Sequence, residues 1–161
     1  MKGVTDFYEN NQVKHGSHVS SELLDTVEFS ELKKYLKAAL PLRSSFLSGI
    51  YILPGDDIES YCLSSELFSG VVNNFGFLPI GASMAGDLIA VDKITGKVYW
   101  FGIRYFIDGF GTLINSQNEE VEASRENLEQ IAIFVGLFDE QLIVNILQND
   151  CFRLFEILSS S

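Results

Sequence analysis

Four groups of residues are of types that do chemistry when suitably placed. His15-Gly16-Ser17-His18 carries both histidines, at a spacing that would chelate a metal if the segment were helical. Gly16 and Ser17 discourage a helix, and no carboxylate or cysteine completes a ligand set, so metal binding is not expected. Asp56, Asp57 and Glu59 form an acidic cluster of the kind that serves acid-base or metal chemistry. Nothing nearby supplies a third polar partner, and the three read better as a turn and as an acidic rim for a partner. The glycine-punctuated stretch Gly81 to Gly86 has the freedom to turn its amides toward a phosphate. It leads into a strand rather than a helix amino terminus, and the next residue, Asp87, would repel the anion, which argues against nucleotide binding. Asp87 reads instead as a turn acceptor that fixes the loop. Cys62 and Cys151 lie far apart in apolar surroundings with no metal-type or redox spacing, and read as reduced, buried thiols; a disulfide between them would require an oxidising compartment. The serines are scattered, without a nucleophile elbow, a P-loop or a zinc signature. No enzyme and no cofactor is expected.

The charge balance says more. With 22 acidic against 11 basic residues the formal charge is −11, a field that repels phosphate backbones and anionic headgroups, so neither nucleic acid nor a membrane is the expected partner. A basic protein is, since opposite charge speeds encounter. The amino terminus carries no apolar signal core and no apolar run reaches spanning length, which points to the cytoplasm. Hydrophobic residues make up 47% of 161, with 13 Phe, enough for one domain with an aromatic-filled core.

The elements that must position these residues follow from periodicity and turn chemistry. Residues 1–20 are polar, include Asn10-Asn11-Gln12 and lack sustained periodicity, so they read as a loosely ordered arm. Ser30 is placed to cap a helix over 31–40 with Leu32, Tyr35, Leu36 and Ala39 on its buried face. Pro41 ends it, and a second short helix, Leu42 to Leu47, is expected to follow. Ile50 to Leu53 reads as a strand, Pro54-Gly55-Asp56-Asp57 as a turn, Ile58 to Leu63 as another strand, and Ser64 or Ser65 as the cap of a helix running to Val72. Residues 77–107 are expected to form an antiparallel meander. In its hairpin Leu88, Ala90 and Asp92 face opposite to Ile89 and Val91, and Val98 and Trp100 opposite to Lys97, Tyr99 and Phe101. Large residues on both faces mean that the second face is either covered or left open as an apolar binding surface, coverage being the simpler outcome. The strand run is expected to extend over Ile103 to Ile107. Asp108 to Gly111 then turns the chain, Thr112 to Ile114 pairs back, and Ser116 to Glu122 forms an acidic loop. Ser124 should cap a helix from Arg125 to Val135, and a last amphipathic segment runs from Glu140 to Leu158, its Leu142, Ile143, Ile146 and Leu147 facing the core. The fold class is α+β: a single domain whose mostly antiparallel sheet is flanked by N-terminal and C-terminal helices.

Leu40-Pro41 with Phe46-Leu47, then Phe77-Leu78-Pro79-Ile80-Gly81, Gly86-Asp87 entering a strand, Gly96 leading to Trp100, and a serine before an amphipathic helix that carries Leu128 together resemble the SUKH superfamily. That family includes fungal cell-wall-synthesis regulators of the Smi/Knr type and bacterial immunity proteins that neutralise secreted toxins. Where the family commonly has an asparagine-glycine or double-glycine element, this chain runs through Ser48-Gly49 into Ile50. The resemblance implies one SUKH-like domain over residues 21–158, a tail at 159–161, and a structural role for Leu40, Pro41, Phe46, Leu78, Pro79, Gly81, Gly86, Asp87, Gly96 and Trp100.

A binding surface is expected from acidic loops beside aromatics: Tyr51, Asp56, Asp57, Glu59, Trp100, Tyr105, Asp108, Glu119 and Glu120. The resemblance sharpens that expectation to an immunity protein, a monomer or weak homodimer, bound to a cognate basic toxin that attacks nucleic acid. A regulatory or scaffold protein of the Smi/Knr type is the alternative, and a small hydrolase ranks last.

Overall fold

The computed structural model describes residues 2–63, 68–107 and 111–148. Its first element, helix α1 (Lys2–Asn10), replaces the loosely ordered arm expected over residues 1–20. Val4 and Tyr8, four apart on one helical face, are fully buried, and Val13 and Val19 follow them into the core. Phe7 packs beside them, so Val4, Phe7 and Tyr8 keep the three-and-four spacing of one helical face; the pattern spans little more than one turn among polar neighbours, and sequence reasoning missed it. The Tyr8 hydroxyl lies 3.1 Å from that of Tyr35, so the two buried groups satisfy each other.

Helix α2 (Ser21–Asp25) starts at Ser20, whose side chain accepts the Leu23 amide. Helix α3 (Ser30–Ala38) buries Leu32, Tyr35 and Leu36, with Ala39 just beyond, as the spacing predicts. Ser30 is its first residue rather than its cap, a position held by Phe29 without a side-chain bond. No second helix follows Pro41. Gly16 N donates to Leu40 O and Leu42 N to Lys14 O, so the chain after α3 is held extended against residues 14–16 and enters strand β1 (Ser45–Leu47). A tight turn returns it antiparallel as β2 (Ile50–Ile52).

The Pro54–Asp57 turn and the Ile58–Leu63 strand are also corrected. Residues Gly55 to Leu63 form one helix, α4 (Gly55–Leu63), with Pro54 just before it and Asp56 and Asp57 in the first turn, where carboxylates complement the helix dipole. The same proline, glycine and aspartates that make a turn also make a helix start: Pro54 O accepts Ile58 N, and Gly55 N donates to Ser17 Oγ at 3.0 Å. Helix α5 (Phe68–Asn74) follows; its expected caps, Ser64 and Ser65, lie outside the described residues.

Strands β3 (Phe77–Ser83), β4 (Leu88–Asp92) and β5 (Lys97–Phe101) form the expected antiparallel meander. The two faces alternate as read from the sequence: Ile89, Val91, Val98 and Trp100 enter one apolar cluster, and Leu88, Ala90, Tyr99 and Phe101 the other. Gly96 closes the β4–β5 turn at φ 75°, and a Cβ there would run into the Phe29 ring. Gly96→Ala is therefore expected to cost about 1–3 kcal/mol, read as a lower urea midpoint at unchanged slope.

After Phe101 the expected strand over Ile103–Ile107 is absent. Residues Ile103–Tyr105 make a 3-10 turn, and Phe106 forms a single bridge to Leu113. Strand β6 (Thr112–Ile114) pairs with β7 (Glu120–Glu122) in a separate ribbon, so the acidic loop over 116–122 ends in a strand. Asp108, Gly109 and Phe110 lie outside the described residues. Helix α6 (Arg125–Ile131) is capped by Ser124, which accepts the Asn127 amide at 3.1 Å. It stops at Ile131 instead of reaching Val135, and strand β8 (Ile133–Leu137) pairs antiparallel with β5. Helix α7 (Glu140–Gln148) buries Ile143, Ile146 and Leu147 with Leu142 partly covered; its expected continuation to Leu158 lies outside the described residues.

The main sheet has the order β1-β2-β3-β4-β5-β8 with every neighbour antiparallel, and the domain is α+β. One face packs on α1, α3 and α7. The other lies under α5, α6 and the β6–β7 ribbon, so all five residues of β4 are buried. The open apolar face that the sequence allowed does not occur there.

Candidate functional site

The glycine-aspartate pair at the start of β4 is tied to the end of β5. Gly86 holds φ 95°, which points the chain so that the Asp87 carboxylate accepts Trp100 Nε1 at 3.1 Å through one oxygen and Ile103 N at 2.9 Å through the other. Asp87 also bonds back to Ser83, its amide donating to Ser83 Oγ at 3.1 Å. Trp100 is 1% exposed. It is a core strut and not a surface anchor, which corrects its expected place in a binding surface. Beside this strut lies a cavity of about 220 Å³, bounded by Asp87, Trp100, Ile103, Arg104, Tyr105, Ile131 and Ile133. At its rim Arg104 stacks 4.8 Å over the half-buried Tyr105 ring and donates to its hydroxyl at 2.7 Å.

A second tie fixes α6 to the meander. Asp92 is 2% exposed, accepts the Ile94 and Thr95 amides at 2.9 and 3.2 Å, and is ion-paired with Arg125. Arg125 in turn donates to Phe75 O at 3.0 Å, pairs with Glu129 at 3.2 Å and lies 4.6 Å over the Phe77 ring. Burial pushes the Asp92 carboxyl up, but the bonds from Ile94, Thr95 and Arg125 outweigh it and hold the group below its ordinary value.

The remaining acidic and aromatic candidates are spread over separate elements. Asp56 is exposed and Asp57 half-buried in the first turn of α4, while Glu59 accepts the Ser20 amide and ties α4 to the start of α2. Glu119 and Glu120 are exposed at the β6–β7 ribbon, and Asp108 lies outside the described residues. Tyr51 is 40% exposed on β2 and stacks against Phe46 of β1, ring centres 4.7 Å apart. Of the other motif positions, Leu40, Pro41, Leu78, Pro79, Gly81 and Gly96 are buried and Phe46 is exposed. A register shift between Pro79 and Gly81 absorbs the proline in the middle of β3.

His15 is half-buried in a bridge with Pro41 and His18 is exposed. Among the described residues no three His, Cys, Asp or Glu side chains come close enough to hold a metal. Burial, opposed by Lys93 and aided by Glu59, raises the Cys62 thiol to about 11; Cys151 lies outside the described residues. No described helix is long and apolar enough to cross a membrane.

Sequence reasoning missed Phe134 and Leu137, more than half exposed on β8. The signal was the uncharged run Ile133-Phe-Val-Gly-Leu137, rich in strand-forming residues. No family model, curated protein or solved structure matches the chain.

Proposed function

We propose that this α+β domain is a non-enzymatic protein-binding module of the SUKH type. It acts in the cytoplasm as an immunity protein that covers a basic, nucleic-acid-targeting bacterial toxin. The observation that carries the reading is unneutralised negative charge on an ordered scaffold. The net charge is −11, and the ion pairs among the described residues are Lys34–Glu31, Arg125–Asp92 and Arg125–Glu129. Glu22, Asp25, Glu28, Asp56, Glu119, Glu120 and Glu122 are exposed and have no cation partner among the described residues. Such a surface steers a cationic protein and repels nucleic acid. A second support is that positions carrying the family resemblance converge in space, Asp87 receiving the Trp100 indole beside Gly86.

The test is titration against the carboxyl-terminal domain of a secreted protein encoded beside this gene. Raising salt from about 0.05 to about 0.5 M is expected to weaken the complex at least about tenfold, chiefly through slower association. Salt-independent binding, no binding, or turnover of a substrate by the purified chain would remove the reading.

A further inference from the structure

Strand β8 is an uncharged edge of the main sheet. It pairs with β5 on one side and, among the described residues, with no strand on the other. Ile133 and Val135 turn toward the larger apolar cluster. Phe134 and Leu137 lie in register with Tyr99 and Lys97, toward the other face of the sheet, and are 54% and 55% exposed. The Phe134 ring rests 5.7 Å from that of Tyr99. Natural edge strands are guarded by lysine, proline or an inward charge, and β8 has none of these. Its one guarding device is the register shift opposite Val98–Tyr99. The opposite edge, β1, has only three residues, a length that itself discourages pairing.

The charge beside this edge is negative. Glu129 on α6 and Asp139, two residues past β8 and accepting Leu142 N at 2.7 Å through one oxygen, are exposed. The nearby cations are Lys97, opposite Leu137 in the register, and Arg125, which is shared between Asp92 and Glu129, so the three carboxylates Asp92, Glu129 and Asp139 outnumber the two cations. A second copy of the chain would bring another −11 to the same place, whereas a cationic strand would be drawn to it.

We propose that β8 is where a basic partner protein adds a strand to the sheet. The partner's backbone pairs along Ile133–Leu137, its apolar side chains cover Phe134 and Leu137, and its lysines or arginines meet Glu129 and Asp139. Main-chain bonds supply the affinity and charge selects the partner. The inference rests on the protein-binding reading above and names its surface.

The experiment uses the full chain and a short capped peptide of alternating lysine and valine, with a glutamate-valine peptide as its counterpart. The lysine peptide is expected to slow amide exchange within Ile133–Leu137 and to bind at least about tenfold tighter than the glutamate peptide. Phe134→Lys and Leu137→Lys, both at exposed positions, should each weaken it about tenfold with the parent's melting temperature retained. Protection at Ser45–Leu47 instead, equal binding of the two peptides, or β8 protection that grows with protein concentration and needs no peptide would overturn the proposal, the last by making a second copy the occupant. A toxin domain that binds wild type and both variants alike overturns β8 as the surface and leaves the protein-binding reading standing. A toxin domain that fails to bind wild type removes that reading, and the peptide result then decides the strand edge by itself.

Discussion

Trp100→Ala is expected to lower stability by about 3–5 kcal/mol, a large part of what a domain of this size possesses. The side chain is 1% exposed within the larger apolar cluster, so truncation removes its buried area and leaves a cavity between the sheet and the helices above it. It also removes the indole donor to Asp87, leaving Ile103 N as the remaining side-chain tie between that carboxylate and the end of β5. Trp100→Phe separates the two contributions: it keeps most of the aromatic volume and deletes the donor, and should cost about 1–2 kcal/mol. Because Trp100 is the single tryptophan, unfolding must be followed by circular dichroism rather than intrinsic fluorescence. A loss below about 1 kcal/mol for Trp100→Ala would mean that Trp100 does not hold the ends of β4 and β5 together.

Arg125→Ala should cost about 2–4 kcal/mol near neutral pH. The buried carboxylate of Asp92 would keep its bonds from Ile94 and Thr95 but lose its cation, and α6 would lose its bond to Phe75 O. The lower half of that range is favoured, because the Arg125 side chain is 42% exposed and part of its attraction is screened. The pH dependence follows from the depressed Asp92 pKa. A carboxyl that ionises more readily folded than unfolded contributes stability fully above its unfolded pKa of about 3.9, and loses it as pH falls through the folded value. Wild type should therefore lose this contribution in acid, below about pH 4, and Asp92→Asn should flatten that part of the profile. In Arg125→Ala, burial opposes fewer stabilising bonds, so the acid transition should begin at higher pH. An acid profile identical in all three proteins would show that the pair does not couple α6 to the meander.

Much of the architecture was legible because it depends on local chemistry. The alternation across β4 and β5 assigns each side chain to its face, and the glycines at 86 and 96 mark the turns before and after β4. Ser124 caps its helix for the same local reason. What was misread had two locally acceptable conformations. Pro54-Gly55-Asp56-Asp57 suits a turn or a helix start, and became the latter once Ser17 accepted the Gly55 amide. Residues 42–47 were helix-compatible until residues 14–16 held Leu40 to Leu42 extended. Trp100 shows the same limit among candidate binding residues: an aromatic at the end of a strand suits a surface anchor as well as a core strut, and only the approach of Asp87 decided it.

Composition and periodicity alone determined the acidic character, the α+β class and the meander with its two apolar faces, because each is a property of residues near one another in the chain. Tertiary structure alone decided that Lys2–Asn10 docks on the core as a helix, that Ile133–Leu137 leaves the helix before it to pair with β5, and that this strand forms an edge. The physical reason is that α1 and β8 are each stabilised by partners remote in sequence: α1 by the core around Tyr35, 27 residues beyond Tyr8, and β8 by the ladder along β5. Burial and strand pairing across such separations outweigh local propensity, and no short window of sequence contains them.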